Sequence, residues 1–378
     1  MDVSPPRPDR RTVLRDWMRD PGGIVVCLFG VTTVLFAVWV LSHRGTAAQR
    51  AMIGDLVFLP AGIAVVGLAL RAAARPALSR ATRRAWLLLA AAFAATLTGD
   101  ALWANYEIGL GLSPFPSLAD AAYLLFYPLL LAGLTAFPAA PQNRQERTAF
   151  WLDAVTVLLG GWMVVWYVVL GPTAIGSEAP RLETALAAAY PVGDLVLIFG
   201  IAAVMLRRPE EGSRRALAIL AVGLSFFLIA DLSFGYLSLL DAYHSGDWPD
   251  AVWMIALFGF ATGAQYQSWV AGRGDLVTPA PPADPHRVSS LPYGAIGLGY
   301  LLLIIAGRHA PPYPLGGLLA GAVAITAVVV TRQLLLLRQL RALAVTDGLT
   351  GLPTRQRFSV LAGYEFARAV RYARPAPR

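Results

Sequence analysis

The 378-residue chain is 57% apolar and 14% charged, with a mean hydropathy of +0.58. Soluble domains carry about 25% charged residues, so this composition excludes an ordinary soluble protein and indicates a polytopic membrane protein. The net charge of +8 rests on 31 basic residues, all Arg, and a basic membrane face accounts for it without nucleic acid as a partner.

Residues 1–23 form a polar arm with Arg7, Arg10, Arg11, Arg15 and Arg19 ahead of the first apolar run. A signal peptide begins similarly, but this run is too long and lacks a small-residue cleavage site, so an uncleaved first span is expected. Apolar segments follow at 24–42, 53–71, 85–106, 117–137, 149–170, 185–206, 216–240, 249–268, 291–307 and 314–337. Each has about twenty residues, enough at about 1.5 Å per residue to cross a hydrocarbon layer of about 30 Å. The expected fold is an all-α polytopic bundle of about ten transmembrane helices. Cys27, the single cysteine, excludes an intrachain disulfide and a zinc site built of thiolates.

Loop charge orients the chain. The arm and the loops after spans 2, 4, 6 and 8 carry most of the arginines, whereas the opposite loops hold only Arg44, Arg50, Arg181 and Arg308. The positive-inside rule then places both termini in the cytoplasm.

An internal repeat organises the spans. Ile53-Gly-Asp-Leu-Val recurs as Val192-Gly-Asp-Leu-Val, Arg83–Arg84 as Arg214–Arg215, Asp100 as Asp231, and Ser-Leu-Ala-Asp120 as Asp-Trp-Pro-Asp250. The offsets are 139, 131, 131 and 130 residues. Four spans separate the copies, an even number, so the repeats are parallel. Residues 24–137 (spans 1–4) and 149–268 (spans 5–8) read as two copies of one four-helix unit. Residues 291–337 form spans 9 and 10. The segment 278–290 is a loop too short to bury a core. Beyond span 10, residues 332–345 continue as a helix with Leu336, Leu340 and Leu343 at heptad-like spacing. A dimerising helix and a helix merely leaving the bilayer both fit that pattern.

Carboxylates inside a bilayer cost about 2.5–3.5 kcal/mol at mid-span on insertion scales, so each needs a reason. Asp55, Asp100, Asp120, Asp194, Asp231 and Asp250 all fall in the outer half of the spans or at their outer edge. Asp120 and Asp250 stand at helix starts, where N-capping explains them. For Asp55, Asp100, Asp194 and Asp231, with Trp103 and Tyr236 at the same level, one reading is an outward-facing, pseudo-symmetric pocket. It would sense an extracytoplasmic cationic or metal ligand through charge pairing and cation–π contact. The other is interhelical hydrogen bonding. Four His and one Cys do not indicate a transition-metal site. A transporter with the acids as a cation or proton path is the competing class. Against it, the acids gather at one face, and Pro128 and Pro191 are the nearest candidates for helix breaks.

The run Thr346–Phe358, TDGLTGLPTRQRF, carries Asp-x-Leu-Thr-Gly-Leu-x-x-Arg with Phe three residues later. It resembles the opening of a GGDEF domain. The matched positions are Asp347, Leu349, Thr350, Gly351, Leu352, Arg355 and Phe358; Thr354 stands where the family commonly has Asn. The resemblance implies an α/β diguanylate cyclase domain starting at 346–378, with these residues in its lead-in turn and first helix. It also implies a bacterial inner-membrane protein acting in cyclic di-GMP signalling, with Mg2+ and GTP as ligands of a complete domain. Two GTP-bearing domains must meet, which implies a homodimer joined through the helix after span 10. The same opening also begins composite proteins in which a phosphodiesterase follows. The family's metal and nucleotide residues lie further downstream. Gly22–Gly23, Gly160–Gly161 and Gly316–Gly317 are not followed by an acidic pair and Phe, so no catalytic residue transfers and none of the family's metal ligands does. The chain as given is expected to be inert, a fragment, a frameshift or a shortened gene product.

Overall fold

The computed structural model describes residues 17, 19–112, 115–139, 144–170, 181–206, 210–240, 242–273, 291–308, 315–345, 358, 362–366 and 368. Among them are ten long α-helices and no strand: α1 (Pro21–Leu41), α2 (Ala47–Ala73), α3 (Arg80–Ala104), α4 (Leu118–Ala136), α5 (Arg144–Val165), α6 (Arg181–Leu206), α7 (Glu211–Leu239), α8 (Trp248–Arg273), α9 (Leu291–Ala306) and α10 (Gly316–Val345). π-Helical turns extend α3 over Asn105–Gly109 and α5 over Trp166–Leu170.

A helix occupies each of the ten apolar stretches. Seven of them, α1–α5, α7 and α10, are long and apolar enough to cross a membrane. The apolar parts of α6 and α9 are shorter, at Ala189–Val204 and Pro292–Ala306. Helix α8 has 26 residues but carries Gln265, Gln267 and Ser268, all fully buried. A helix enclosed by other helices need not present a lipid-compatible surface. By contrast, Leu28, Val31, Val34, Leu35, Val38 and Leu41 on α1 are each more than half exposed. That face is compatible with contact to a lipid bilayer, because a patch of this kind is costly in water.

Local chemistry sets the helix starts. Asp20 caps α1, accepting from the amides of Gly22 and Gly23 at 3.0 and 3.3 Å, with Pro21 at a first-turn position where no N–H donor is needed. Thr46 and Gln49 form a reciprocal capping box on α2, and Ser117 with Asp120 does the same on α4. Pro60, Pro128 and Pro191 sit inside continuous helices, so the two expected candidates for breaks interrupt nothing.

The chain divides into two compact units, Met1–Ala322 and Val323–Arg378. In the first, α3 runs antiparallel to α4, and α7 antiparallel to α8. Small residues permit the close crossings: a Cβ on Gly259 would lie 2.9 Å from the Gly223 Cα. Helix α2 runs parallel to α8, with Gly54 near Gly246 at one end and Arg75 donating to Ser268 Oγ (2.8 Å) at the other. Helices α6 and α4 are parallel too, matching Gly193 to Tyr127 and Gly200 to Leu134. Stacked Phe93 and Phe260 (5.0 Å between centroids) and tilted Phe126 and Phe227 (5.0 Å) fill the centre. Helix α5 packs on α6 and α9 through Gly161 and Gly160.

In the second unit, α10 continues as helix to Val345, and residues 362–366 are helical. The side chains of Leu336, Leu340 and Leu343 lie outside the described residues, as do Asp347, Leu349, Thr350, Gly351, Leu352 and Arg355. Phe358 is described, in a helical position and 67% exposed.

Candidate functional site

The two ends of the first unit differ in chemistry. One carries Arg71, Arg75, Arg83 and Arg215, with Arg273 stacked on Trp269 at 4.8 Å. The other carries carboxyl groups, gathered in two clusters.

The first cluster joins α4, α6, α7 and α8. Asp231 accepts from Trp253 Nε1 at Oδ1 (2.7 Å) and from Tyr127 Oη at Oδ2 (3.1 Å). Asp194 lies beside it, close enough for the two carboxyl groups to share a hydrogen bond, and is only 4% exposed. The preceding Gly193 is what admits Tyr127: a Cβ there would stand 2.5 Å from the ring Cζ. Alongside, Tyr190 donates to Asp120 Oδ1 at 2.6 Å. Asp120 also accepts from the Ser117 amide at 2.7 Å, so it closes the capping box and ties α6 to α4 at once.

The second cluster joins α2, α3, α4, the α7–α8 loop and the first turn of α8. Tyr123 donates to Asp100 Oδ1 at 3.0 Å. Glu107, in the π-helical turn, accepts from Trp103 Nε1 (2.8 Å) and Ser245 Oγ (2.9 Å). Asp250 accepts from the Gly246 amide (2.6 Å) and from Tyr243 Oη (2.8 Å). Gly246 has φ +88°, a left-handed conformation that favours glycine and turns its amide toward that carboxylate. Burial pushes the Tyr243 phenol well above its ordinary range, and the adjacent Asp250 adds to the effect. Asp55 lies within electrostatic reach of Glu107, Asp250 and Asp100.

Positions 130 and 131 residues apart do the same work. Tyr123 bonds Asp100, and Trp253, 130 positions on, bonds Asp231, 131 positions on. Phenol is exchanged for indole, and both donate. The clusters part company at their second acid: Asp194 faces Asp231, whereas Asp55 faces Glu107 as well as Asp100.

Of the six residues expected to line one pocket, Asp194 and Asp231 meet in the first cluster. Asp55 and Asp100 fall in the second, and Trp103 joins it through Glu107. Tyr236 is 48% exposed on α7 and belongs to neither cluster. A nearby cavity of about 540 Å³ is lined by Tyr106, Leu112, Pro116, Ser117, Leu118 and Leu186, and none of the four candidate Asp residues borders it. Among the described residues no group of three or more His, Cys, Asp or Glu side chains is arranged to hold a metal ion. Sequence reasoning missed Glu107 and Tyr127. Both stand four residues beyond a site aromatic, Trp103 and Tyr123, and i,i+4 neighbours share a helix face.

At the basic end Arg71 grips Asp20 in a two-pronged contact, Nη2 to Oδ1 at 2.7 Å and Nη1 to Oδ2 at 2.9 Å. Gln265 Nε2 donates to the same Oδ2 at 2.5 Å. Burial alone would raise the Asp20 carboxyl, but the bonds from Arg71 and Gln265 outweigh it and hold it below the ordinary carboxylate range.

No known protein family, characterised protein or solved structure matches this chain.

Proposed function

We propose that the chain is the membrane sensory and anchoring region of a bacterial cyclic di-GMP signalling protein, with a diguanylate cyclase as its output. In this reading all ten helices span the inner membrane, α1–α4 and α5–α8 are parallel repeats, and both termini are cytoplasmic. The observation that carries it is α10, one uninterrupted helix from Gly316 to Val345 that ends immediately before the GGDEF-like run at 346–358. The pairing of α2 with α8 and of α6 with α4 supports the repeat, because each couples the second helix of one copy to the fourth of the other. An extracytoplasmic signal at the acid end would act through α8–α10 on residues 332–345. There two chains would meet and set how two GTP-loaded, Mg2+-dependent domains face one another.

Two measurements test this. Cysteines placed singly along Arg332–Val345, in a Cys27→Ser background, are expected to cross-link between chains with helical periodicity. No proximity at any position, with or without stimulus, removes the dimer mechanism. The intact mass of the product in native membranes, with conversion of GTP to cyclic di-GMP by those membranes, tests the output. A product ending at Arg378 without that activity removes the cyclase.

The buried Asp194–Asp231 pair favours a second reading, a transporter moving a cation or proton. Uptake into sealed vesicles separates the two, since a sensor accumulates nothing.

A further inference from the structure

The first cluster has a donor inventory that does not balance. Asp231 is well served, with Trp253 on one oxygen and Tyr127 on the other. Asp194 is not: it is 4% exposed, and among the described residues its Oδ1 has no hydrogen-bond partner. A buried carboxyl oxygen without a donor is a costly defect that native proteins rarely leave unfilled. The surroundings do not repair it. Facing the pair are the phenols of Tyr127 from α4 and Tyr190 from α6, with Asp120 of α4 behind Tyr190; α8 contributes the uncharged Trp253 indole. Among the described residues, no basic side chain is one of the groups acting on either acid. Two carboxyl groups in contact, without a cation from the protein, cannot both carry charge in a low-dielectric interior.

We propose that Asp194 and Asp231 form a binding site for one small monovalent cation, a proton or a sodium ion, at the junction of α4, α6, α7 and α8. The cation neutralises Asp194, while Tyr127 and Trp253 stabilise the one remaining negative charge on Asp231. The site spans the two repeats, since Tyr127 comes from the first and both acids from the second. Loss of the cation leaves two like charges at the α6–α7 contact and weakens the α4 contact through Tyr127. This deepens the sensory reading by naming what the bundle senses, and it rests on that reading. The test reads occupancy instead of signalling output, so an occupied site with a silent output refutes the sensor and leaves the site standing.

The purified full chain in detergent micelles serves both arms. For the proton, infrared spectra across a pH titration are expected to contain a carboxylic-acid carbonyl band that Asp194→Asn removes and Asp100→Asn retains. For sodium, NaCl but not choline chloride is expected to raise the unfolding midpoint, with at least a tenfold loss of apparent sodium affinity in Asp231→Asn. Should Asp194→Asn fail to elute as a folded particle, Tyr127→Phe, which keeps both acids, decides the proton arm. A shift in the frequency of that band supports the site, and an unmoved band counts against it. No such band together with no sodium-specific shift overturns the proposal.

Discussion

The Asp20–Arg71 contact offers the sharpest test of the packing argument, because one carboxylate serves three helices. It caps α1, closes a two-pronged pair with Arg71 at the end of α2, and accepts from Gln265 on α8. The side chains are 19% and 29% exposed. Exposed pairs contribute about 0.2–1 kcal/mol, and breaking a buried pair costs about 3–5 kcal/mol, so a coupling of about 1–2 kcal/mol is expected here. Asp20→Asn keeps a competent cap and loses the charge, for a cost of about 2 kcal/mol once the stranded Arg71 is included. Asp20→Ala also loses the cap, worth about 1 kcal/mol more. Equilibrium unfolding in mixed micelles, on a double-mutant cycle of Asp20→Asn and Arg71→Met, isolates the pair. A cycle residual near zero, or an Asp20→Asn variant as stable as the parent, refutes the claim that this contact joins α1 and α2.

The same carboxylate gives a pH signature. Its folded pKa lies below the unfolded value, about 3.9, so its contribution is complete above that pH and is lost as pH falls through the folded value. The stability difference between parent and Asp20→Asn should therefore shrink on acidification, and a constant difference would contradict the assignment. Tyr127→Phe removes one donor to Asp231 and should cost about 1 kcal/mol in the same unfolding assay, within the range of interhelical bonds in membranes. Two glycines should respond with opposite sign. Gly67, with nothing within 4 Å of an added Cβ, should gain about 0.5–1 kcal/mol on conversion to Ala. Gly259→Ala should lose about 1–3 kcal/mol because its Cβ meets the α7 backbone; two gains would show that the crossing is looser than drawn.

Hydropathy placed a helix on every apolar stretch, since about twenty apolar residues leave few other options. The cap at Asp120 was equally readable, because a helix start announces itself within four residues. What failed was direction. Tyr236 was grouped with Asp231 for its depth, yet five residues along a helix turn a side chain through about 140°, onto another face. Trp253, on the neighbouring helix, is the aromatic that bonds Asp231. Glu107 stands one turn beyond Trp103, but nothing in the apolar pattern signals that the α7–α8 loop would bring Ser245 to it. The Asp20 contact was unreadable for a different reason: its partners lie 51 and 245 residues away.

Helix α8 carries a consequence for how the chain is made. Like α6 and α9 it is not among the seven helices long and apolar enough to cross a membrane, and its Gln265, Gln267 and Ser268 are buried in contacts inside the bundle. Its partners α1, α2 and α7 all precede it in the chain, and two of them leave the ribosome about two hundred residues earlier. Released alone into lipid, α8 would bear those amides without partners. In the proposed ten-span reading its insertion waits on helices already in place. In that reading, deleting α1 and α2 is expected to leave α8 without the partners of Gln265 and Ser268.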